Sequence, residues 1–188
     1  MNNKGKILAV ASPSGGGKTT IVRRVLKKFP ELVFSVSATT RPKRANEKHG
    51  VDYFFISEDE FKEHIENNDF VEWERFYDYY YGTFKSFITD NISHGRSVLL
   101  EVDVKGALTL KEIYPDSYLI FIDPPSLEEL TNRLKIRNTE SPEDFQKRID
   151  RAKMELSLKE KFDYLVENKD LEIATAETIS LISKIIKE

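Results

Sequence analysis

A glycine-rich stretch between an apolar run and a helix-like segment constrains the fold of this chain more than any other feature. The stretch reads SPSGGGKT over residues 12–19 and directly follows the apolar run at residues 7–11. A continuous apolar run fits a strand buried on both faces of a parallel sheet, and apolar residues at helical spacing over residues 19–28 predict a helix. A strand, a glycine-rich turn and a helix in this order are the context of a phosphate-binding P-loop.

The residue types in this stretch suit the binding of phosphate groups. The glycines at 15–17 let backbone N–H groups turn toward phosphate oxygens, and the start of the helix adds the positive end of its dipole. Lys18 can reach the outer phosphates of a nucleotide, and the Thr19 hydroxyl can bind Mg²⁺. Ser12 stands where the pattern has glycine, six residues before the lysine, so either this serine adopts an unusual backbone geometry or the loop enters differently. A glycine-rich turn with a surface lysine is the weaker alternative, because both flanking segments fit the P-loop.

Strand and helix signals alternate along the rest of the chain, which predicts an α/β fold with a parallel core sheet flanked by helices. Further strands are expected at residues 33–37, 53–56, 97–102, 118–122 and 164–167. Further helices are expected at residues 57–67, 85–93, 126–137, 141–159 and 174–187, and none is assigned between residues 102 and 118. Residues 70–84 are aromatic and irregular. The alternation breaks at residues 35–93, which resemble an insertion with its own small sheet.

Composition and charge exclude several classes of protein. The chain of 188 residues has 29 Lys and Arg against 32 Asp and Glu, a net charge of -3 that disfavours electrostatic binding of nucleic acid. It has no Cys, which rules out disulfides, Cys-based zinc sites and a thiol nucleophile. Its apolar runs are far shorter than the ~20 residues of a membrane span, and no secretory signal is visible. We therefore expect a cytoplasmic protein with no membrane partner.

Several further motifs follow the P-loop in one order and with compatible spacing. They are residues 34–41 (FSVSATTR) with Arg44, Glu47, Gly50, Asp52 and Tyr53; residues 70–73 (FVEW) and 80–83 (YYGT); residues 100–103 (LEVD) with Gly106; and Arg133, Arg137, Thr139 and Arg148. Together with the P-loop, this series resembles the guanylate kinase family from the first strand to about Asn168. The resemblance implies a single domain with a P-loop NTPase core at residues 1–34, 94–125 and 154–188. It also implies an inserted GMP-binding subdomain with a small mixed sheet at residues 35–93 and a helical lid at residues 126–153.

The resemblance implies a site for GMP. The residues that match the family's GMP-binding positions are Ser37, Arg41, Arg44, Tyr53, Glu72, Tyr81, Gly82, Thr83 and Asp103. Guanidinium groups and phenol hydroxyls suit a phosphate dianion, although a solvated basic loop is the alternative for the two arginines. The carboxylate of Glu72 can accept from both N–H donors on one edge of guanine, whereas adenine presents an acceptor there and would be rejected.

The resemblance also implies a site for ATP and a catalytic set. The implied ATP-binding residues are Ser14, Gly15, Gly16, Gly17, Lys18, Thr19, Thr20, Arg133, Arg137 and Asn168. The implied catalytic residues are Lys18, Arg41, Arg137 and Arg148, which would neutralise charge on the transferring phosphoryl group. Thr19 is expected to bind Mg²⁺, Glu101 to act on the ion through water, and Asp103 to face the nucleotide. The alternatives are surface ion pairs for the lid arginines, and bonds to neighbouring loops for the two acids.

The predicted function is therefore that of a guanylate kinase, a transferase of purine nucleotide metabolism. It would transfer the γ-phosphoryl group of ATP to GMP with Mg²⁺ as cofactor, giving ADP and GDP, with ATP and GMP as its small-molecule partners. Oligomeric state is left open. One alternative is a non-catalytic binding module, which would need neither the P-loop lysine nor the lid arginines. Another is a P-loop kinase with a different acceptor, in which Glu72 would have no guanine to recognise.

Overall fold

Helices and strands alternate along most of the chain, as the sequence predicts. The computed structural model describes residues 5–76, 78–137 and 142–187, apart from the side chains of residues 136–137 and 142–144. The strands are β1 (Ile7–Ala11), β2 (Val33–Ser35), β3 (Ala38–Thr39), β4 (Phe54–Phe55), β5 (Phe70–Phe76), β6 (Tyr79–Phe84), β7 (Val98–Glu101), β8 (Tyr118–Asp123) and β9 (Tyr164–Glu167). The helices are α1 (Lys18–Lys28), α2 (Glu58–Glu66), α3 (Lys85–Ser93), α4 (Val104–Ile113), α5 (Leu127–Arg137), α6 (Pro142–Ser157) and α7 (Leu171–Ile185), with a 3-10 helix at Lys159–Lys161.

Five parallel strands form the core sheet in the order β2–β7–β1–β8–β9. Strand β1 lies at the centre, with Ala9 opposite Leu100 of β7 on one side and opposite Leu119 of β8 on the other. All residues of β1 are buried, which explains its continuous apolar sequence. The carboxyl ends of the strands meet at one edge of the sheet, where ligands bind in open α/β folds.

Helices cover both faces of this sheet with apolar side chains. On one face, Leu8 and Val10 of β1 belong to a cluster with Ile21 of α1, to which α7 also contributes. On the other face, Ala9 belongs to a cluster with Leu110 of α4, to which α3 also contributes. Alternate residues of a strand point to opposite faces, so both layers require apolar residues from β1. This arrangement confirms the predicted α/β class.

A second sheet lies within residues 35–93, where the sequence predicts an insertion. Its strand order is β4–β3–β6–β5, with β3 and β4 parallel and the β3–β6 and β5–β6 pairs antiparallel. The small mixed sheet is therefore confirmed. The division of the chain into three functional regions stays a prediction.

The expectation of an irregular stretch at residues 70–84 is wrong, because β5 and β6 form an antiparallel hairpin. Phe70 is buried against Phe61 of α2, with ring centroids 4.5 Å apart. The next residue, Val71, is also buried, but in the cluster on the core sheet. The consecutive residues Phe70 and Val71 are thus buried on opposite faces of β5. The polar–apolar alternation that marks a half-exposed strand is therefore missing at the start of this strand.

Helix α4, which the sequence analysis did not assign, follows β7. Asp103 is its N-cap, and the side chain accepts a hydrogen bond from the Gly106 amide at 2.6 Å. Helix α7 begins at Leu171, earlier than expected, because Asp170 caps it by accepting from two amides of its first turn. In both helices an aspartate at the start is the local signal for the boundary.

The two helices predicted for the lid, α5 and α6, pack against each other. Leu130 and Leu134 of α5 form a cluster with Ile149 and Ala152 of α6. In the part of the chain that the structure describes, no helix has both the length and the apolar character needed to cross a membrane.

Candidate active site

The glycine-rich loop joins the end of β1 to α1, as predicted for a P-loop. Gly15 and Gly17 have φ values of 91° and 90°, in the left-handed region that favours glycine. Ser12, in contrast, is not among the described residues with positive φ. Its hydroxyl is buried and donates to the Pro13 carbonyl at 3.1 Å, and a Cβ atom on Gly16 would collide with it. Serine at position 12 is therefore accommodated without left-handed backbone.

The first two residues of α1 reach the end of the neighbouring strand β7. Lys18 Nζ donates to the Val102 carbonyl at 2.5 Å, and Thr19 Oγ1 donates to Glu101 Oε1 at 2.5 Å. A hydroxyl and a carboxylate are hard oxygen ligands of the kind that Mg²⁺ prefers. One or two such groups are enough, since the ion keeps several waters and contacts the phosphates of the substrate. The residues present thus fit a Mg²⁺ site.

Arg41 is held in place by Glu47. Its two terminal nitrogens donate to the Glu47 carboxylate at 3.0 and 2.8 Å, and the guanidinium lies 5.6 Å from the centre of the Tyr53 ring. Burial lowers the pKa of Arg41, but the bonds to Glu47 and the proximity of Tyr81 outweigh it, so the net pKa is raised. The hydrogen bond from Arg41 lowers the pKa of Glu47. This is an oriented and permanently charged arginine.

Two tyrosines stand beside this arginine. Tyr53 and Tyr81 meet edge to face with ring centroids 6.1 Å apart. Burial, together with the nearby Glu101, raises the pKa of Tyr53 to about 12, so its hydroxyl stays a donor at neutral pH. The Arg44 side chain is exposed, and its backbone amide donates to Glu47 at 2.8 Å.

Glu72 and Thr83 face each other across the β5–β6 hairpin. Thr83 Oγ1 donates to Glu72 Oε1 at 2.5 Å. Burial raises the pKa of Glu72 to about 7, and the negative charges of Asp103 and Glu74 add to this effect. Gly82, beside Thr83, has no room for a side chain, because a Cβ atom would lie 2.9 Å from the Phe61 ring.

A cleft of about 310 Å³ brings most of the predicted site residues together. Its walls include residues 14–20 of the P-loop with Ser37, Tyr53, Glu72, Tyr81, Gly82, Glu101 and Asp103. The described walls do not include Arg41, Arg44, Thr83, Arg133, Arg148 or Asn168. The P-loop thus faces the Glu72 carboxylate across one cavity.

Comparisons with known proteins point to one family. The family model described as guanylate kinase matches residues 4–185. The chain belongs to the guanylate kinase family. The guanylate kinase of Thermotoga maritima is 44% identical over 179 residues, covering 95% of this chain and 86% of that protein. The one from Caldanaerobacter subterraneus subsp. tengcongensis is 45% identical over 182 residues, covering 97% and 88%. The crystal structure of guanylate kinase from Anaplasma phagocytophilum superposes with a TM-score of 0.78 at 34% identity, covering 98% of this chain and 86% of that one.

Membership in the guanylate kinase family confirms the resemblance seen in the sequence. The protein is accordingly a nucleoside monophosphate kinase, a transferase that uses ATP. A P-loop kinase of another family is therefore ruled out. The roles of individual residues stay predictions, and three of them are placed in ways that the motifs do not indicate.

Asn168, predicted to bind ATP, is hydrogen-bonded to the P-loop. It is 3% exposed, and its Nδ2 donates to the Gly16 carbonyl at 2.7 Å. Arg133 donates in turn to the Asn168 carbonyl at 3.3 Å and to Glu129 at 3.0 Å. In this structure both residues therefore hold the loop and its neighbours, and their contact with ATP stays a prediction.

Asp103, predicted to face GMP, is engaged by the protein itself. One carboxylate oxygen caps α4, and the other lies 3.4 Å from Arg151. Burial raises the pKa of Asp103, but its hydrogen bonds with Glu74 and the Gly106 amide, and the charge of Arg151, outweigh it and lower the net value. The alternative of a strand-end acid bonded to its neighbours thus describes its present contacts.

The predicted lid arginines are placed by α5 and α6. Arg137 is the last residue of α5, and its side chain lies outside the described part of the structure. Arg148 belongs to α6, and its guanidinium lies 5.8 Å from the centre of the Phe76 ring.

Sequence reasoning assigned no role to Glu47, Glu74, Arg151 or Glu155. Glu47 stands three residues after Arg44, and this short spacing could have indicated the loop contact. Arg151 and Glu155 have the i, i+4 spacing of a helix ion pair. Glu74 and Arg151 are 77 positions apart in the sequence, and no local pattern predicts their contact.

Proposed function

We propose that this protein transfers the γ-phosphoryl group of ATP to GMP, giving ADP and GDP, with Mg²⁺ as cofactor. Its relatives at 43–46% identity bear the name guanylate kinase. The observation that carries the proposal is the Glu72–Thr83 pair, which presents a largely buried carboxylate to the cleft opposite the P-loop.

Glu72 supports selection of guanine over adenine. Guanine offers a ring N–H and an amine on one edge, and an ionised carboxylate can accept from both. Adenine offers a ring acceptor at the same place, which would leave Glu72 desolvated and unpaired. The hydroxyl of Ser37, in the cleft wall, would donate to the carbonyl of guanine. The hydroxyl of Thr83 has a single proton, which it donates to Glu72, so it supports the carboxylate.

Arg41, Tyr53 and Tyr81 support binding of the GMP phosphate. A guanidinium already fixed by Glu47 loses little conformational freedom when it pairs with a phosphate. The neutral phenol of Tyr53 donates without adding charge. Arg44, exposed on the same loop, supplies a second cation as its side chain turns toward the anion.

The P-loop supports binding of ATP. Its amides would surround the phosphates, and Lys18 would exchange the Val102 carbonyl for a phosphate oxygen. Thr19 and Glu101 are the residues that would hold Mg²⁺, which when bound neutralises charge on the donor phosphates. Because the acceptor is already an anion, these groups act by positioning and by charge neutralisation, with Arg137 and Arg148 as predicted lid contributors.

Closure of residues 126–153 and 35–93 over the core would exclude water from the transferred group.

Release of ADP tests the proposal. The protein is supplied with ATP and Mg²⁺ and, separately, GMP, dGMP, AMP, CMP or UMP, with Lys18→Ala as the inactive control. We expect turnover with guanine nucleotides alone, and loss of about 100-fold or more in Lys18→Ala. Turnover that EDTA leaves unchanged would remove Mg²⁺ from the proposal. Equal turnover with AMP, or none with GMP, would overturn the proposal itself.

A further inference from the structure

Arg151 of α6 contacts carboxylates from three separate parts of the chain. It donates to Glu74 of β5 at 2.5 Å and to Glu155 of α6 at 2.8 Å, and it lies 3.4 Å from Asp103 at the start of α4. Its side chain is 18% exposed, against 23% for Glu74 and 3% for Glu155. Ion pairs of this kind are weakly screened by solvent, and loss of one partner leaves uncompensated buried charge.

An aromatic ring of β5 completes this contact. The Arg151 guanidinium lies 4.4 Å from the centre of the Phe76 ring, and that of Arg148 lies 5.8 Å from it. Burial lowers the pKa of Arg151, but the hydrogen bonds that it donates to Glu74 and Glu155 outweigh this effect and raise the net pKa, so the group stays charged. Helix α6 is thus attached to β5 through both an ion pair and a cation–π contact.

This attachment lies beside the carboxylate that we propose to recognise guanine. Glu72 and Glu74 are two residues apart on β5, so their side chains leave the same face of the strand. Gly106 of α4 packs directly against the Glu72 carboxylate, since a Cβ atom at Gly106 would lie 2.6 Å from Glu72 Oε2. A shift of β5 relative to α6 or α4 would therefore move Glu72 within the cleft.

We propose that Arg151 is a positioning residue that holds β5 against α6 through Glu74 and Phe76, and so sets the affinity for GMP. This inference rests on the proposed function. Without Arg151, Glu74 and Asp103 would keep only their mutual hydrogen bond, and β5 would lose both its ion pair and its ring contact with α6, so the strand would shift. Arg151 and Glu74 line the same cleft as the P-loop, but Asn168 holds the loop itself, so we expect ATP binding to depend less on this contact than GMP binding does.

Steady-state kinetics on a small set of variants tests the inference. The set is Arg151→Ala, Arg151→Lys, Glu74→Gln, the double variant Glu74→Gln/Arg151→Ala, and Lys111→Met as the control. Lys111 forms an ion pair of 3.0 Å with Asp163, partly exposed like Glu74 with Arg151, at the opposite edge of the core sheet. KM for GMP, KM for ATP, kcat and the thermal midpoint are measured for each.

We expect Arg151→Ala to raise KM for GMP about tenfold, with KM for ATP changed by less than about twofold. Arg151→Lys keeps the cation and should recover most of the loss. KM for GMP in the double variant should be no higher than in Arg151→Ala, because the two substitutions remove the same contact. Lys111→Met should lower the thermal midpoint and leave KM for GMP unchanged.

Three results would overturn the inference. In Arg151→Ala they are an equal rise in KM for GMP and KM for ATP, or a lower thermal midpoint with KM for GMP unchanged. In the double variant it is a rise in KM for GMP equal to the combined effects of the two single substitutions. If Arg151→Ala does not fold, Glu74→Gln still decides, since it must raise KM for GMP more than KM for ATP. Absence of GMP turnover in the unaltered protein is a separate result, which would overturn the proposed function.

Discussion

Thr83 donates a hydrogen bond of 2.5 Å to Glu72 across the β5–β6 hairpin, and Thr83 is completely buried. The bond fixes one oxygen of the carboxylate inside the protein. Burial raises the pKa of Glu72 to about 7, so the carboxyl is easily protonated when the cleft holds no donor. A guanine base would supply two donors and favour the ionised form. The affinity for GMP and the ionisation of Glu72 are therefore linked.

Glu72→Gln should relax base selection. The amide can still accept one hydrogen bond but also presents a donor, which suits adenine better than the carboxylate does. We expect kcat/KM for GMP to fall roughly 10- to 100-fold and the preference for GMP over AMP to narrow. The ratio of kcat/KM for the two acceptors is the measurement, with Glu63→Gln on the exposed face of α2 as the control. A variant with the original preference would show that Glu72 does not recognise the base.

Activity should rise with pH across the neutral range. The ionised form of Glu72 binds guanine, so kcat/KM for GMP should increase from about pH 6 to about pH 8 with a midpoint near 7. The phosphate of GMP titrates close to this range, and burial also raises the pKa of Glu74 in the same cleft. Both groups remain in Glu72→Gln, so the difference between the two profiles isolates the Glu72 step. Identical profiles in the two proteins would contradict the assignment.

The same carboxyl should affect stability in the opposite direction. Its pKa in the folded protein lies above the ordinary value of 4.5, so folding retains a proton that the unfolded chain releases. The stabilising contribution is complete below about pH 4.5 and is lost as the pH rises through 7. Without ligand, the free energy of unfolding of Glu72→Gln should therefore fall less between pH 5 and pH 8 than that of the unaltered protein, as denaturant titrations can show.

Arg41 and Glu47 should act as a unit in phosphate binding. We expect Arg41→Ala to lower kcat/KM for GMP roughly 100-fold or more, because a charged bidentate donor is lost. Glu47→Gln keeps the arginine but loosens it, and should cost about tenfold. Glu58→Gln, which breaks an exposed pair with Lys62, serves as the control. Wild-type kinetics in Glu47→Gln would show that Arg41 needs no support.

Asn168→Ala should weaken ATP binding through the P-loop. The change removes the 2.7 Å bond to the Gly16 carbonyl, and we expect KM for ATP to rise about tenfold with KM for GMP little changed. Asn91→Ala is a matched control, because Asn91 is also buried and donates to a backbone carbonyl at 2.7 Å, but within α3. Equal effects of the two variants on KM for ATP would contradict a specific role of Asn168.

Local patterns account for what the sequence predicts correctly. The run at β1, the glycines at 15–17 and the start of α1 are adjacent, so their order alone indicates the P-loop and the parallel sheet. The hairpin β5–β6 escaped this reasoning because Phe70 and Val71 at its start are buried in two different clusters. Helix α4 escaped because Asp103 was interpreted as a ligand or as a partner of neighbouring loops, and not as a helix N-cap. The second error arises because Asp103 both caps a helix and lines the cleft.

The sequence by itself determined the α/β class, the P-loop, the family resemblance and the residue types that a guanine nucleotide requires, because each is carried by neighbours or by motifs in a set order. Only the tertiary structure decided that Asn168 supports Gly16 and that Arg151 joins Glu74, Asp103 and Glu155. Asn168 and Gly16 are 152 positions apart, and Arg151 and Glu74 are 77 apart. The sequence around a charged or amide side chain does not indicate which distant residue it will contact. The packing of strands and helices around one cleft determines that partner.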